Sequence, residues 1–237
     1  MRLSNQSNLE RWVKRGCCLF LVAGLLAAVP EVAAGEGEQA PVKFRWAFGA
    51  LTDDGTTLKL EPIGTSSTLK TGDQLKMMVE RQSDCFVYVI HHSSQNQIRL
   101  LFPYSLTQLT DDYLREKRYY IPQSDRWFEL DQHSGPETFY LLASATRLER
   151  LERLLDQYEH GDSAQKTELS RQLLEEIRSL KKQHRELAAA AERPETIGGA
   201  VRGFEKAQGM NRPDIAVIAR ELSAPAFIAR TFTIEHQ

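Results

Sequence analysis

From Val42 onward, polar and apolar residues alternate in short runs separated by turn residues. Lys43-Phe44-Arg45-Trp46-Ala47-Phe48 puts Phe44, Trp46 and Phe48 on one face of a strand, because successive side chains of extended backbone point to opposite sides. Asp53-Asp54-Gly55 predicts a turn before Leu58-Lys59-Leu60, and Thr71-Gly72-Asp73 predicts another before Leu75-Lys76-Met77-Met78-Val79. Cys85-Phe86-Val87-Tyr88-Val89-Ile90 is apolar on both faces, as suits a strand covered on both sides. Ser93 to Gln97 reads as a hairpin loop returning into Ile98-Arg99-Leu100-Leu101-Phe102, which Pro103 ends. Further short strands are expected at Tyr119–Ile121, Trp127–Leu130 and Glu137–Ala143. Turn signals every eight to twelve residues or so, without alternating helices, predict an antiparallel β-sandwich and disfavour a parallel nucleotide-binding sheet.

The period changes at Thr146. Leu148, Leu151, Leu154, Leu155 and Tyr158 recur at steps of three and four, the spacing of an amphipathic helix. Gly161 is placed to stop that helix, and Asp162 or Ser163 to cap the next. The second helix carries Leu169, Leu173, Leu174, Ile177, Leu180 and Leu187 on one face and runs to Ala191. Two such helices joined by a short Gly-containing turn form an antiparallel hairpin. Residues 195–213 are Gly-rich and weakly patterned and read as a flexible connection. Ala226–Ile234 alternates again, and a lone strand must return to a sheet to be stable. The expected class is therefore mainly β (α+β overall): a β-sandwich over 42–237 with a helical hairpin inserted at about 146–193, before the last strand.

Ahead of this part stands a different pattern. Arg2, Arg11, Lys14 and Arg15 precede 14 uncharged residues, Gly16–Val29, closed by Pro30 and by Val32-Ala33-Ala34. A spanning helix needs roughly 20 apolar residues, so residues 1–34 read as a secretory signal peptide cut before Gly35, with an uncleaved anchor as the alternative. Gly35–Pro41 reads as a short polar linker. The 237 residues hold 30 basic and 32 acidic side chains. Cleavage removes four and two of these, leaving 26 and 30, net −4. It also removes Cys17 and Cys18 and keeps only Cys85, so no internal disulfide can form and the core alone must stabilise the fold. An acidic chain without a basic half is not built to bind nucleic acid, and no later stretch reaches spanning length. The expected location is the periplasm or the exterior.

Five segments in the β-rich half carry a resemblance. They are Leu69-Lys70-Thr71-Gly72-Asp73-Gln74-Leu75, Asp84 to Val89, Leu101-Phe102-Pro103, Tyr120-Ile121-Pro122, and Gly135-Pro136-Glu137 leading to Leu142-Ala143-Ser144. In order and spacing this set resembles the bacterial family called domain of unknown function 4384, over roughly residues 68–145. The resemblance implies an all-β module of envelope proteins, often attached to signalling or protease-like domains. It brings no catalytic residues to carry over, and no protease or kinase domain accompanies it in this chain.

The chemistry-bearing residues point the same way. Cys85 and His91 are six steps apart, about 20 Å along a strand, too far to act as thiol and base, so Cys85 reads as a small core residue. His91 and His92 face opposite sides and no third ligand has a familiar spacing, which argues against a metal. Asp111, Asp112, Asp125, Glu129 and Asp131 offer an acid pair only as a remote option. No nucleophile elbow, phosphate loop or His-Glu-x-x-His motif is present, and nothing calls for a cofactor. The expectation is a non-enzymatic exported module that contacts another envelope protein. The hairpin stripe of Leu148, Leu151, Leu155, Leu169, Leu173, Ile177 and Leu180 is its candidate surface. That stripe has three possible uses: closing on itself, docking on the sheet, or meeting a partner. The alternative is a small-ligand or glycan-binding module using the aromatics around Tyr119 and Trp127.

Overall fold

The computed structural model describes residues 41–53, 57–188, 202–205 and 212–237. The segment expected to be a signal peptide, the expected cleavage site before Gly35 and the linker up to Ala40 lie outside the described residues, as does most of the Gly-rich connection. Two antiparallel-rich sheets face each other. The first is built from β1 (Val42–Asp53), β2 (Thr57–Pro62), β4 (Gln74–Arg81), β7 (Arg118–Ile121), β8 (Phe128–Glu129), β10 (Arg202–Glu205) and β11 (Arg220–Ala224). Its order is β10-β2-β1-β4-β7, with β11 also paired to β1 and β8 to β4. The second contains β3 (Ser66–Leu69), β5 (Phe86–His92), β6 (Ile98–Phe102), β9 (Gly135–Ser144) and β12 (Phe227–His236), in the order β3-β12-β9-β5-β6. A single turn, α1 (Gln108–Asp111), lies between β6 and β7.

Between the sheets the alternation does what period-two patterning requires. Phe44, Trp46 and Phe48 of β1 are buried against Val87, Val89, Leu141, Phe232 and Ile234. Phe48 meets Phe139 edge-on at 5.0 Å between ring centroids, and Phe232 at 5.4 Å. Cys85 is fully buried in this core. Across the sheets, Tyr88, Ile90 and Leu142 face outward into a second apolar cluster. β5 is therefore covered on both sides, as its uninterrupted apolar run requires.

That second cover is the helical hairpin, α2 (Glu149–His160) and α3 (Ser163–Ala188). Leu148, Leu151, Leu154, Leu155, Leu173 and Ile177 are buried against Tyr88, Ile90, Ile98, Leu142 and Phe227, with Leu169 and Leu180 packed around them. Gly161 terminates α2. Asp162 opens α3 with a capping box: its carboxylate accepts the Gln165 N–H at 2.8 Å, and the Gln165 side-chain oxygen accepts the Asp162 N–H at 3.0 Å. Polar contacts pin α2 to the sheet. The buried Tyr88 hydroxyl donates to Glu152 at 2.5 Å and accepts the Leu148 N–H at 3.2 Å, while Arg147 donates to both Glu152 carboxylate oxygens. Further along, His184 of α3 stacks on Phe227 at 3.9 Å and Lys181 donates to Thr231.

The outer face of the first sheet is covered as well. A 3-10 turn, Ile215–Ile218, lays Ile215 and Ile218 over Ala47, Leu51, Leu60 and Met78. The approach is so close that a side chain at Gly49 would stand 2.7 Å from Ile215. Three features depart from the sequence reading. β3 is a short polar strand whose Ser-Ser-Thr pattern carries no alternation. β10 and β11 also follow the hairpin, so the insertion precedes three strands rather than one. The stretch just past the expected 195–213 connection, to which the sequence pattern assigns no element, supplies the 3-10 cover. The returning terminal strand is in place: β12 pairs with β9 over ten residues, Phe227↔Ser144 to His236↔Gly135. Among the described residues no helix is long and apolar enough to cross a membrane.

Candidate ligand-binding cleft

The residues singled out as an interaction surface are mostly spent inside the molecule. Leu148, Leu151, Leu155, Leu173 and Ile177 are buried, and Leu169 and Leu180 are partly buried in the same cluster. Of the open alternatives for the stripe, the first two occur together: the helices close on each other and dock on the sheet, since an amphipathic face left in water would forgo the hydrophobic gain. Tyr119 is also core. Its hydroxyl donates to the Asp112 carbonyl at 2.9 Å and accepts the Leu114 N–H at 2.7 Å. Trp127 packs on the opposite face, beside Tyr120 and under the 3-10 turn. There it flanks the buried Lys76, whose ammonium donates to the carbonyls of Ser124 and Arg126 at 2.7 and 2.8 Å. Burial lowers the Lys76 pKa. Tyr119 and Trp127 thus belong to two separate packing layers and do not form one groove.

One end of the inter-sheet space is open instead. In four neighbouring strands of the second sheet the inward-facing series is apolar until its last position, where it turns polar. Val87 and Val89 lead to His91, Phe102 to Arg99, Leu141 and Phe139 to Glu137, and Phe232 and Ile234 to His236. His91 pairs directly with Arg99 across β5 and β6. Leu75 and Phe128 of the first sheet, with Leu130 just past β8, form the facing wall, and Leu101 also lines the cleft. The β5–β6 loop (Ser93, Ser94, Gln95, Gln97) and Asp131 with His133 form the rim of a cleft of about 280 Å³.

Most polar groups of the cleft already have partners. His91 Nε2 donates to Glu137 at 2.5 Å and its ring stacks on Phe139. Glu137 also accepts from the Ser94 N–H at 3.2 Å and the Ser94 hydroxyl at 3.0 Å. Burial pushes the Glu137 carboxyl up, but the bonds from His91 and Ser94 outweigh it and hold the pKa below the usual range. Gly135, at φ +134°, makes this contact possible, because a side chain there would stand 2.8 Å from Ser94 Cβ. Thr71 spends its hydroxyl proton on the Asp131 carbonyl at 2.9 Å and therefore accepts from His236 Nε2 at 3.1 Å. Asp131 is held below its ordinary pKa by the backbone N–H and then the ring of His133. Arg99 stands apart: among the described residues no hydrogen bond or ion pair engages its guanidinium. The described residues contain no convergent group of three or more His, Cys, Asp and Glu side chains suited to a metal ion.

Of the acids considered as a catalytic pair, Asp112 is tied to Lys117 at 2.7 Å and Asp131 to His133 at 3.0 Å. His92 points away from the cleft and bonds the Asn96 side chain. Arg99, Glu137, Phe139 and His236 were not singled out from the sequence. For Phe139, Glu137 and His236 the signal is the continuation of each strand's inward alternation to a polar end; Arg99 escapes it, because the register shift in β6 puts it on the inner face three residues from Phe102.

Residues 68–147 match the family described as Domain of unknown function (DUF4384). The resemblance read from the five motifs is thereby borne out over that segment. The DUF4384 match runs from within β3 through β9 and holds every cleft residue named above except His236. No curated protein and no solved structure matches the chain.

Proposed function

We propose that this protein is an exported, non-enzymatic binding module of the bacterial envelope, and that its ligand is a small molecule taken into the end cleft. One observation carries the reading. The chain's own segments cover the outer faces of both sheets, while the inter-sheet space opens into a cleft with one apolar and one polar wall. A concave apolar surface with a few convergent polar groups is the usual form of a small-ligand site. The partners of Ser94 support a non-catalytic role: Glu137 stands between Ser94 and His91, so the imidazole does not activate the hydroxyl.

The test is a small-molecule screen by nuclear magnetic resonance on the isotopically labelled mature protein. Supporting hits shift resonances of the β5–β6 loop, Phe128 and Asp131, and lose binding when Gln97→Trp obstructs the mouth. Hits that all map elsewhere, or binding unchanged by Gln97→Trp, refute the reading. Export is tested by sequencing the N-terminus of protein recovered from the periplasm; a chain starting at Gly35 supports it, and an intact Met1 refutes cleavage.

Contact with another envelope protein is the second reading. What favours it is helix length: α3 has 26 residues and α2 only 12, so half of α3 runs past its partner helix. Affinity purification with charge-reversed variants of the outer face of α3 tests it; unchanged partners refute a role for the helix.

A further inference from the structure

We propose that the cleft selects small amphipathic monocarboxylates, with the Arg99 guanidinium as the anchor for the carboxylate and the apolar surface of Phe128 and Leu101 as the seat for the hydrocarbon body. This rests on the reading of the cleft as a binding site. The inventory of polar groups decides the class. Glu137 is occupied by hydrogen bonds from His91 and Ser94, His236 is turned toward Thr71, and Asp131 holds His133. The cation left over is Arg99, whose planar fork of donors matches the two oxygens of a carboxylate. It lines the same cleft as Phe128 and Leu101, which are partly exposed and are backed by the buried Leu75 and Leu130; these four side chains have no polar atom for a sugar hydroxyl. Bare phosphate would satisfy the guanidinium and leave that wall wet. A neutral aromatic would cover the wall and leave the cation without its counter-charge. The cleft volume of about 280 Å³ lies at the lower end of ligand pockets, which run from roughly 300 Å³ upward, so a single ring or a short chain fits. Glu129 at the mouth and Glu137 within repel a second anionic group, which restricts the ligand to one carboxylate.

The experiment is a titration of the mature protein, followed by nuclear magnetic resonance, with phenylacetate, its neutral isostere phenylacetamide, acetate and inorganic phosphate. Phenylacetate is expected to bind in the cleft, more weakly as salt rises, and more tightly than the other three. Arg99→Gln should weaken it about tenfold. The same variant should leave the melting temperature unchanged, because the Arg99 guanidinium makes no ion pair or hydrogen bond among the described residues and the variant keeps the backbone pairing of β5 with β6. Equal binding of phenylacetamide, or an unaltered affinity in Arg99→Gln, overturns the proposal while the binding-module reading stands. If neither these probes nor the broader screen places any ligand in the cleft, both fail.

Discussion

Removing one oxygen atom from the core tests how the hairpin is held. Tyr88→Phe keeps the buried ring and deletes only the hydroxyl that joins the sheet to α2. Two interactions go with it: the 2.5 Å bond to the Glu152 carboxylate and the 3.2 Å bond from the Leu148 N–H. A hydrogen bond to a charged group contributes about 1.5–3 kcal/mol, and a buried donor left without an acceptor costs about 1–3 kcal/mol. Arg147 continues to hold Glu152 from the half-exposed side, so the carboxylate is not stranded, and the two losses partly overlap. The expected destabilisation is about 2–4 kcal/mol, which for a chain of this size lowers the melting temperature by roughly 5–15 °C. The assay is urea unfolding of the parent protein and of Tyr88→Phe, Glu152→Gln and the double variant. Coupling between the two sites of about 0.5–3 kcal/mol is expected. A Tyr88→Phe protein within about 0.5 kcal/mol of the parent would show that apolar packing alone fixes the hairpin, and the polar account would be wrong.

Two further outcomes follow from the same structure. Tyr88, Tyr104 and Tyr113 all have pKa values raised by burial, so the unfolded chain releases their protons near the ordinary value of 10.0 while the folded chain retains them. Stability should therefore be complete below pH 10 or so and fall as pH rises beyond it. Tyrosinate absorbance should appear together with loss of circular dichroism, and free titration of these tyrosines in a folded protein would contradict the burial argument. Asp162→Ala removes the capping box of α3 and should cost about 1 kcal/mol, read as a shift in the urea midpoint; an unchanged midpoint would show that packing of Leu173 and Ile177 suffices.

How much was legible depended on whether a residue's neighbours along the chain or across space decided its role. β1, β4, β9 and β12 were readable because each carries apolar side chains in alternation toward the core, β5 and β6 because their apolar runs are bounded by a polar loop and by Pro103, and α2 and α3 because their stripe repeats with the helical period. β3 was not, since Ser66, Ser67 and Thr68 are held by the backbone of β12 rather than by a buried face. The Ile215–Ile218 turn was missed because its burial depends on the small residues Ala47 and Gly49 beneath it, about 170 residues earlier. Tyr119 and Tyr120 are adjacent in β7 and, as extended backbone requires, face opposite ways. Nothing local showed that both faces would be covered. The cleft was half visible: His91 and His92 divide between two faces as expected, but the row formed with Arg99 and Glu137 exists only once β6, β5 and β9 are in register.

The pairing of β12 with β9 has a kinetic consequence. Ser144 and Phe227 are partners 83 positions apart, and the whole hairpin lies in the loop they close. Until β12 arrives, the outer edge of β9 presents unpaired backbone groups, an invitation to wrong strand pairing. The ordering entropy of that closure precedes the reward of ten residue pairs, which places the protein among slow-folding, high-contact-order chains. The helices, whose contacts with each other are local, are free to form first. The last strand then locks a sheet whose other members have been waiting for it.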